Sequence, residues 1–411
     1  MRTPAWMSLL LINTALAQSA WEEVNNGLGD TSVRSLFAYV DTVMVGTAGG
    51  IFRSGDGGAS WVDISGDIGS TSINDIRGGG APRVIWAATD DGAYLTVDHA
   101  IYADASIGVA NRNTNYYWFG DTDTPETDWA LGTDGGGVYV AANELGPWTA
   151  RNTGISGAGL QVNDMSGYDD DETSFTVIAT EGGVYFSTDG INTWTEKNNG
   201  LTGDALSAKR LAAFGSLVMA ATHGGFYMSS DLGDSWLPVI ESELFNTLTF
   251  SLTAGMVLVF GESGYYSVDF VNFIPIGMSG VSGGNVTAVT VTTTHIFIGT
   301  ESGGVFRLGL GEVGIDDKTP ANHSRVQQVH NYPNPFNPST TIRYSLDRPA
   351  HVVLNIYDVQ GRKIRTLNEG YQVAGDHSRR LHAAGLSSGV YLLQLVLEDH
   401  LAASQRMLVV K

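Results

Sequence analysis

The sequence predicts an all-β chain: a seven-bladed β-propeller whose N-terminal strand closes the last blade, then a small C-terminal β-sandwich. Two periodic signals and one break predict it. A glycine turn between two short apolar runs recurs seven times. A tryptophan with an aliphatic residue seven positions later recurs beside it. Both stop before a proline-rich segment near residue 330.

The glycine turns read GTAGGIF (46–52), ATDDGAY (88–94), GTDGGGVY (132–139), ATEGGVY (179–185), ATHGGFY (221–227), FGESGYY (260–266) and GTESGGVF (299–306). Their last glycines stand at 50, 92, 137, 183, 225, 264 and 304, a spacing of 39–46 residues that suits one four-stranded blade per copy. An apolar run such as Val43-Met44-Val45 precedes each turn, and a short strand ending in Phe or Tyr follows it. Upstream lies another strand, as in Ile73-Asn74-Asp75-Ile76. The strand opened by the tryptophan (Trp61/Ile68, Trp148/Ile155, Trp194/Leu201) makes four, named a to d in chain order. The seventh copy lacks a tryptophan strand, and residues 21–28, starting at Trp21, are an orphan one. Joining them closes the ring without an exposed edge.

Composition agrees with this frame. Glycine accounts for 52 of 411 residues, and 43% hydrophobic content is enough for packed cores. Net charge is −21, unevenly divided: residues 320–411 carry 10 basic and 6 acidic side chains, and residues 1–319 carry 12 and 37. Two domains of opposite balance are expected. Such an acidic first region argues against nucleic acid or an anionic membrane as partner. Arg2, the apolar run 6–12 and Ala15-Leu16-Ala17 read as a secretory signal with Gln18 as the first mature residue. The apolar run is too short to span a bilayer and no later one is long enough, so no transmembrane segment is expected. Cysteine is absent, which excludes disulfides, thiol nucleophiles and thiolate metal sites. The expected division is 1–17 signal peptide, 18–312 propeller, 313–328 solvated linker and 329–411 sandwich.

The loops between strands c and d carry Ser-x-Asp-x-x-x-x-Trp three times: Ser54/Asp56/Trp61, Ser187/Asp189/Trp194 and Ser229/Asp231/Trp236. Ser267/Asp269/Phe273 is a faded fourth. The pattern resembles the Asp-box, or bacterial neuraminidase repeat, of sialidases, xyloglucanase-type glycoside hydrolases and non-enzymatic propellers. Its residues have a structural job. Ser and Asp bond loop backbone, Gly58 and Gly233 supply positive φ, and the tryptophan packs between blades. Ile191 replaces that glycine in one loop, which is expected to distort it. Ca²⁺ binding is the weaker alternative, because each loop offers few ligands.

From residue 330 the text becomes NYPNPFNPSTTIRYSL, then HVVLNIYDVQGRKIRTL, LSSGVYLLQL and RMLVVK. Pro333, Pro335 and Pro338 hold an extended lead-in, and Phe336 is a natural anchor into the sandwich. These segments resemble the type A C-terminal sorting domain of the type IX secretion system and related Ig-like domains. Pro333, Asn334, Pro335, Phe336, Asn337, Pro338, Gly389, Tyr391 and Lys411 carry the resemblance. It implies export through the Sec pathway and then across the outer membrane by the type IX machinery, to secretion or the cell surface.

Candidate chemistry lies on the face of the glycine turns. The residue following strand b is Ala48, Asp90, Asp134, Glu181, His223, Glu262 or Glu301, a mostly acidic ring around one channel mouth that would bind a glycan, a surface protein or a cation. Asp75 and Asp164 occupy equivalent places in strand a of blades two and four. With Glu181 they are the carboxylates a glycoside hydrolase or lyase would use. The arginines follow no repeat phase, and the Phe-Arg-Ile-Pro motif of sialidases is absent, so sialidase activity is rejected. No nucleophile elbow, phosphate loop or HExxH is present, and no cofactor is expected. A non-catalytic binding propeller is the favoured reading, with an enzyme or a structural adhesion component as alternatives.

Overall fold

The computed structural model describes residues 20–78, 84–119, 129–169, 174–214, 217–251, 256–268, 270, 272–313, 329–346, 350–358, 362–373, 375–397 and 400–410. The expected signal segment, Asp269, residues 121–128 and 170–173, most of the expected linker (314–328) and Lys411 fall outside them.

Among the described residues, seven four-stranded antiparallel sheets form the blades of a ring. Blade one is Val33–Tyr39, Thr42–Thr47, Gly50–Ser54 and Val62–Asp63, strands a to d, and the next five repeat that order from Ile73 to Ile276. The seventh, Val286–Val291, His295–Thr300 and Val305–Gly309, takes its d strand from Glu22–Glu23, which pairs Glu22 with Arg307 and Glu23 with Phe306. The orphan tryptophan strand therefore closes the ring where the sequence predicts.

Strand b explains why the blades stack. Its side chains alternate between the two sheet faces. In blade one Val43 and Val45 join the cluster shared with blade seven, while Met44 joins the one shared with blade two. Seven such apolar clusters among the described residues fill the seven blade interfaces, so the hydrophobic core is a ring of wedges. The tryptophans lock them. The indole N–H of Trp61, Trp148, Trp194, Trp236 and Trp21 donates to the carbonyl of Val24, Ala105, Arg151, Lys197 and Gly277, each in the preceding blade. Gly154 and Gly200 show why a glycine follows these d strands. Both sit at positive φ, and a Cβ there would lie about 2 Å from the carbonyl oxygen of Trp194 or Trp236.

The Ser-x-Asp loops repeat one geometry. Ser54 Oγ donates to Asp56 and accepts from Gly58 N–H at 2.8 Å, while Asp56 accepts the N–H and hydroxyl of Ser60. Ser229, Asp231, Gly233 and Ser235 repeat these bonds. The expected distortion at Ile191 does not occur. Its N–H reaches Ser187 Oγ at 3.0 Å, Asp189 accepts from Thr193, and Ile191 takes φ 64° like the glycines at 89° and 81°. The reason lies in the neighbouring blade. A Cβ at Gly58 would meet Phe297 at 2.9 Å, and one at Gly233 would meet Phe186 at 2.5 Å. The smaller Val140 leaves room for Ile191, whose buried side chain joins the same cluster.

The C-terminal strands form two sheets. Val329–Tyr332, Ser339–Leu346 and Gly375–His382 make one, and Lys363–Gln372, Ala350–Asp358, Gly389–Leu397 and His400–Val409 the other. Their shared core includes Ile342, Leu354, Leu393 and Phe336, the expected anchor, which is buried. Phe336 bridges Val409 in parallel, and Asn334 extends that contact: its Nδ2 donates to Arg406 O and its Oδ1 accepts from Leu408 N–H. Tyr391 is buried, and its hydroxyl donates to Ser387 O.

Candidate functional site

The seven a strands line the central channel, and each carries a bulge after its first residue. The bulge aims the second residue at the channel mouth on the glycine-turn face. These residues are Arg34, Asn74, Asn115, Asn163, Lys209, Asn246 and Thr287, and they floor a depression of about 320 Å³ together with Arg210 and Glu301. Five of them stitch the ring. Asn74, Asn115, Asn163, Asn246 and Thr287 donate to the first a-strand carbonyl of the next blade, at Thr114, Val162, Ala208, Val286 and Val33, over 2.6–3.3 Å. Lys209 and Arg34 break the series as cations.

The acidic turn residues surround this mouth, and two of them, Asp90 and Glu181, face a cation. Asp90 faces Arg34 at 3.8 Å and accepts from Asn74. Asp134 accepts from Asn113, and Glu301 from Asn285. Glu262 contributes its backbone N–H to Leu244 O. Glu181 is the most engaged, accepting from Lys209, Ser207 and Asn163. Burial opposes its ionisation, but those three bonds hold its carboxyl below the usual range. Ser207 also touches His223 Nδ1 at 3.2 Å, bringing Glu181 and His223 into one network. Burial and the neighbouring Lys209 lower the His223 pKa, which keeps the ring neutral.

Below the mouth the channel encloses about 460 Å³. Its third-position residues are Ser35, Asp75, Tyr116, Asp164, Arg210, Thr247 and Ala288. Both carboxylates that the sequence places at equivalent positions are here, and both are buried. Asp75 Oδ2 accepts from Arg77 Nε at 3.0 Å. Asp164 Oδ2 accepts from Leu211 N–H at 2.7 Å, and its other oxygen faces Arg210 at 3.5 Å. The two guanidiniums approach the Tyr116 ring, Arg77 at 4.3 Å and Arg210 at 5.9 Å from its centroid. Burial raises Asp164 above its ordinary value against the pull of both arginines. Burial also raises Tyr116. Desolvation works against charge on Arg77, but Asp75 beside it keeps the guanidinium ionised.

One expectation changes here. The arginines lacking repeat phase in the sequence are brought together: Arg34, Arg77 and Arg210 come from positions two, five and three of separate a strands. The asparagine belt went unread, although its signal was present as Asn at the second residue of four a strands. For the loop carboxylates, the oxygens a cation would need already accept protein hydrogen bonds. Among the described residues, no group of three or more His, Asp or Glu converges as a metal site. Thr193 and Ser187 hold Asp189 down to about 2, and Ser60 and Ser54 hold Asp56 at about 2.

Comparison with known proteins supports these two architectures. Residues 330–411 match the family model of the secretion system C-terminal sorting domain. This tail marks the chain for type IX export, to the cell surface or as a secreted protein. No curated protein sequence matches the chain. Among solved structures it is similar to the extracellular domain of BT4673 from B. thetaiotaomicron, with TM-score 0.54, 14% identity and 96% of this chain covered. It is also similar to PorZ, an essential surface component of the type-IX secretion system of Porphyromonas gingivalis, with TM-score 0.50, 14% identity and 94% covered. The chain spans 58% of the first and 60% of the second. The WD40 β-propeller domain of Doa1 aligns over 68% of this chain and 93% of its own length, with TM-score 0.53 and 13% identity. At such identities the likeness is one of fold. Among the described residues, no helix is long and apolar enough to cross a membrane.

Proposed function

We propose that this exported chain is an Asp-box propeller that binds a glycan or a surface protein without catalysis, at the channel mouth on the glycine-turn face. One observation carries the reading. Each nominated carboxylate is already held by a cation or an N–H group: Asp75 by Arg77, Asp164 by Arg210 and Leu211, Glu181 by Lys209, Ser207 and Asn163. A hydrolase needs one carboxylic acid free to protonate a leaving group and a second carboxylate across the bond. Asp164 and Glu181 instead join neighbouring blades, and Asp75 is paired within its own strand. A depression at a propeller mouth lined by amides and cations suits retention of a polar ligand.

The full-length chain incubated with a panel of polysaccharides, with and without Ca²⁺, tests this. Retention without new reducing ends is the expected outcome. New reducing ends that disappear in Glu181→Gln or Asp164→Asn would make the protein a glycoside hydrolase or lyase and overturn the reading.

A further inference from the structure

The channel below the mouth is charge-balanced and under-bonded. Its two guanidiniums and two carboxylates cancel when ionised. Arg77 uses only Nε, toward Asp75; its Nη1 and Nη2 have no hydrogen-bond partner among the described residues, though the side chain is 36% exposed to the lumen. Tyr116 is 5% exposed, and its hydroxyl has no partner among them either. Among the described residues Asp75 accepts only at Oδ2, from Arg77, which leaves Oδ1 open to the lumen. These atoms open onto the lumen, where they are available to bond a polar ligand in place of solvent.

We infer that this wall receives an uncharged polyol, the terminal neutral sugar of a glycan whose remainder leaves through the mouth; this deepens the binding reading above and rests on it. The charge balance decides against an ionic ligand. An added anion or cation would meet a like charge about as closely as an opposite one, while losing its own hydration. A pair of adjacent hydroxyls loses nothing comparable. One accepts from Arg77 Nη or Tyr116 Oη, and the other donates to Asp75 Oδ1. Space lies on the facing wall, where Ser35, Ala38, Thr247 and Ala288 are small. The volume of about 460 Å³ falls within the ~300–1,000 Å³ of small-ligand sites. Arg210 lines both channel and mouth, so a chain extending from the bound sugar has an exit.

Calorimetric titration of the full-length chain with glucose, galactose, mannose and xylose, beside glucuronate, galacturonate and glucosamine, tests the inference. At least one neutral sugar binds, and its charged counterparts bind at least about tenfold more weakly. Tyr116→Phe, which removes an oxygen without a protein partner, weakens the neutral sugar about three- to tenfold at unchanged Tm. Arg77→Lys does the same or more. Tighter binding of a charged sugar, or neutral-sugar binding unchanged in Tyr116→Phe, overturns the channel assignment and leaves the general binding reading standing. If no sugar binds but the polysaccharide panel is retained, the channel assignment alone fails; if neither binds, the channel assignment and the glycan half of the binding reading both fail.

Discussion

The outer loops and the inner wall of this propeller are built on the same repeat and treat it in opposite ways. At the rim, three Ser-x-Asp loops make the same hydrogen bonds to within a few tenths of an ångström, and even a β-branched residue at positive φ conforms to them. At the channel, the third residue of strand a is Ser, Asp, Tyr, Asp, Arg, Thr or Ala in successive blades. Each Ser-x-Asp loop has one physical task, bracing the turn that leads into the tryptophan wedging the interface, and one solution serves all three. The channel residues need no common partner, so the repeat leaves them free to diverge. Sameness around a ring marks what holds it together, and difference marks where it can be specific.

Breaking a rim wedge has the largest expected effect. Trp236 is 2% exposed and tied to Lys197 O; Trp236→Ala costs about 3–5 kcal/mol, read by denaturant unfolding. Ile191→Gly sharpens the comparison, because two effects oppose. Releasing a β-branched residue from positive φ returns about 1–3 kcal/mol, while emptying a buried aliphatic site costs about 2–5 kcal/mol. The cavity wins, with a net loss of about 1–2 kcal/mol. If the variant were more stable, Ile191 would be a strained exception and not a compensated one.

Acid separates the regions next. Asp56 and Asp189 titrate near 2 in the folded chain against an ordinary 3.8. Their contribution is therefore complete above about pH 4 and is lost as pH falls through 2. Asp56→Asn should flatten the stability–pH curve in that window by lowering stability at neutral pH, with little change below about pH 2, where the protonated carboxyl no longer contributes. The channel gives the smallest effect: Tyr116→Phe shifts stability by less than about 0.5 kcal/mol, since no protein group loses a partner. A larger loss would place that hydroxyl in the framework and blur the distinction.

The same contrast explains what could be read from the chain. Seven glycine turns, alternating apolar strands and an orphan Trp21 strand are local and repeated, so the ring and its closure were legible. The conformity of Ile191 was not, because its permission comes from Val140, about fifty positions earlier in another blade. Charge was misleading for the same reason. Glu181 and Asp90 look like an open acidic ring in the text, but Lys209 and Arg34 reach them only after the bulges of strand a re-aim those side chains. The asparagine belt was equally hidden. Asn at a strand start reads as a turn former, and its acceptor is the backbone of the following blade.

The two-residue strand Glu22–Glu23 gives the ring a seam, and a seam sets an order of events. Its ion pair and ladder join positions 285 residues apart. A chain emerging N-terminus first holds one half of that clasp from the outset and acquires the other only after six blades have passed. Until then Trp21 has no Gly277 carbonyl to bind and the seventh interface stays open. Closure is thus a late, long-range step whose entropy cost rises only slowly with the length enclosed. Until that contact forms, the seventh blade lacks the outer strand that every other blade carries in sequence.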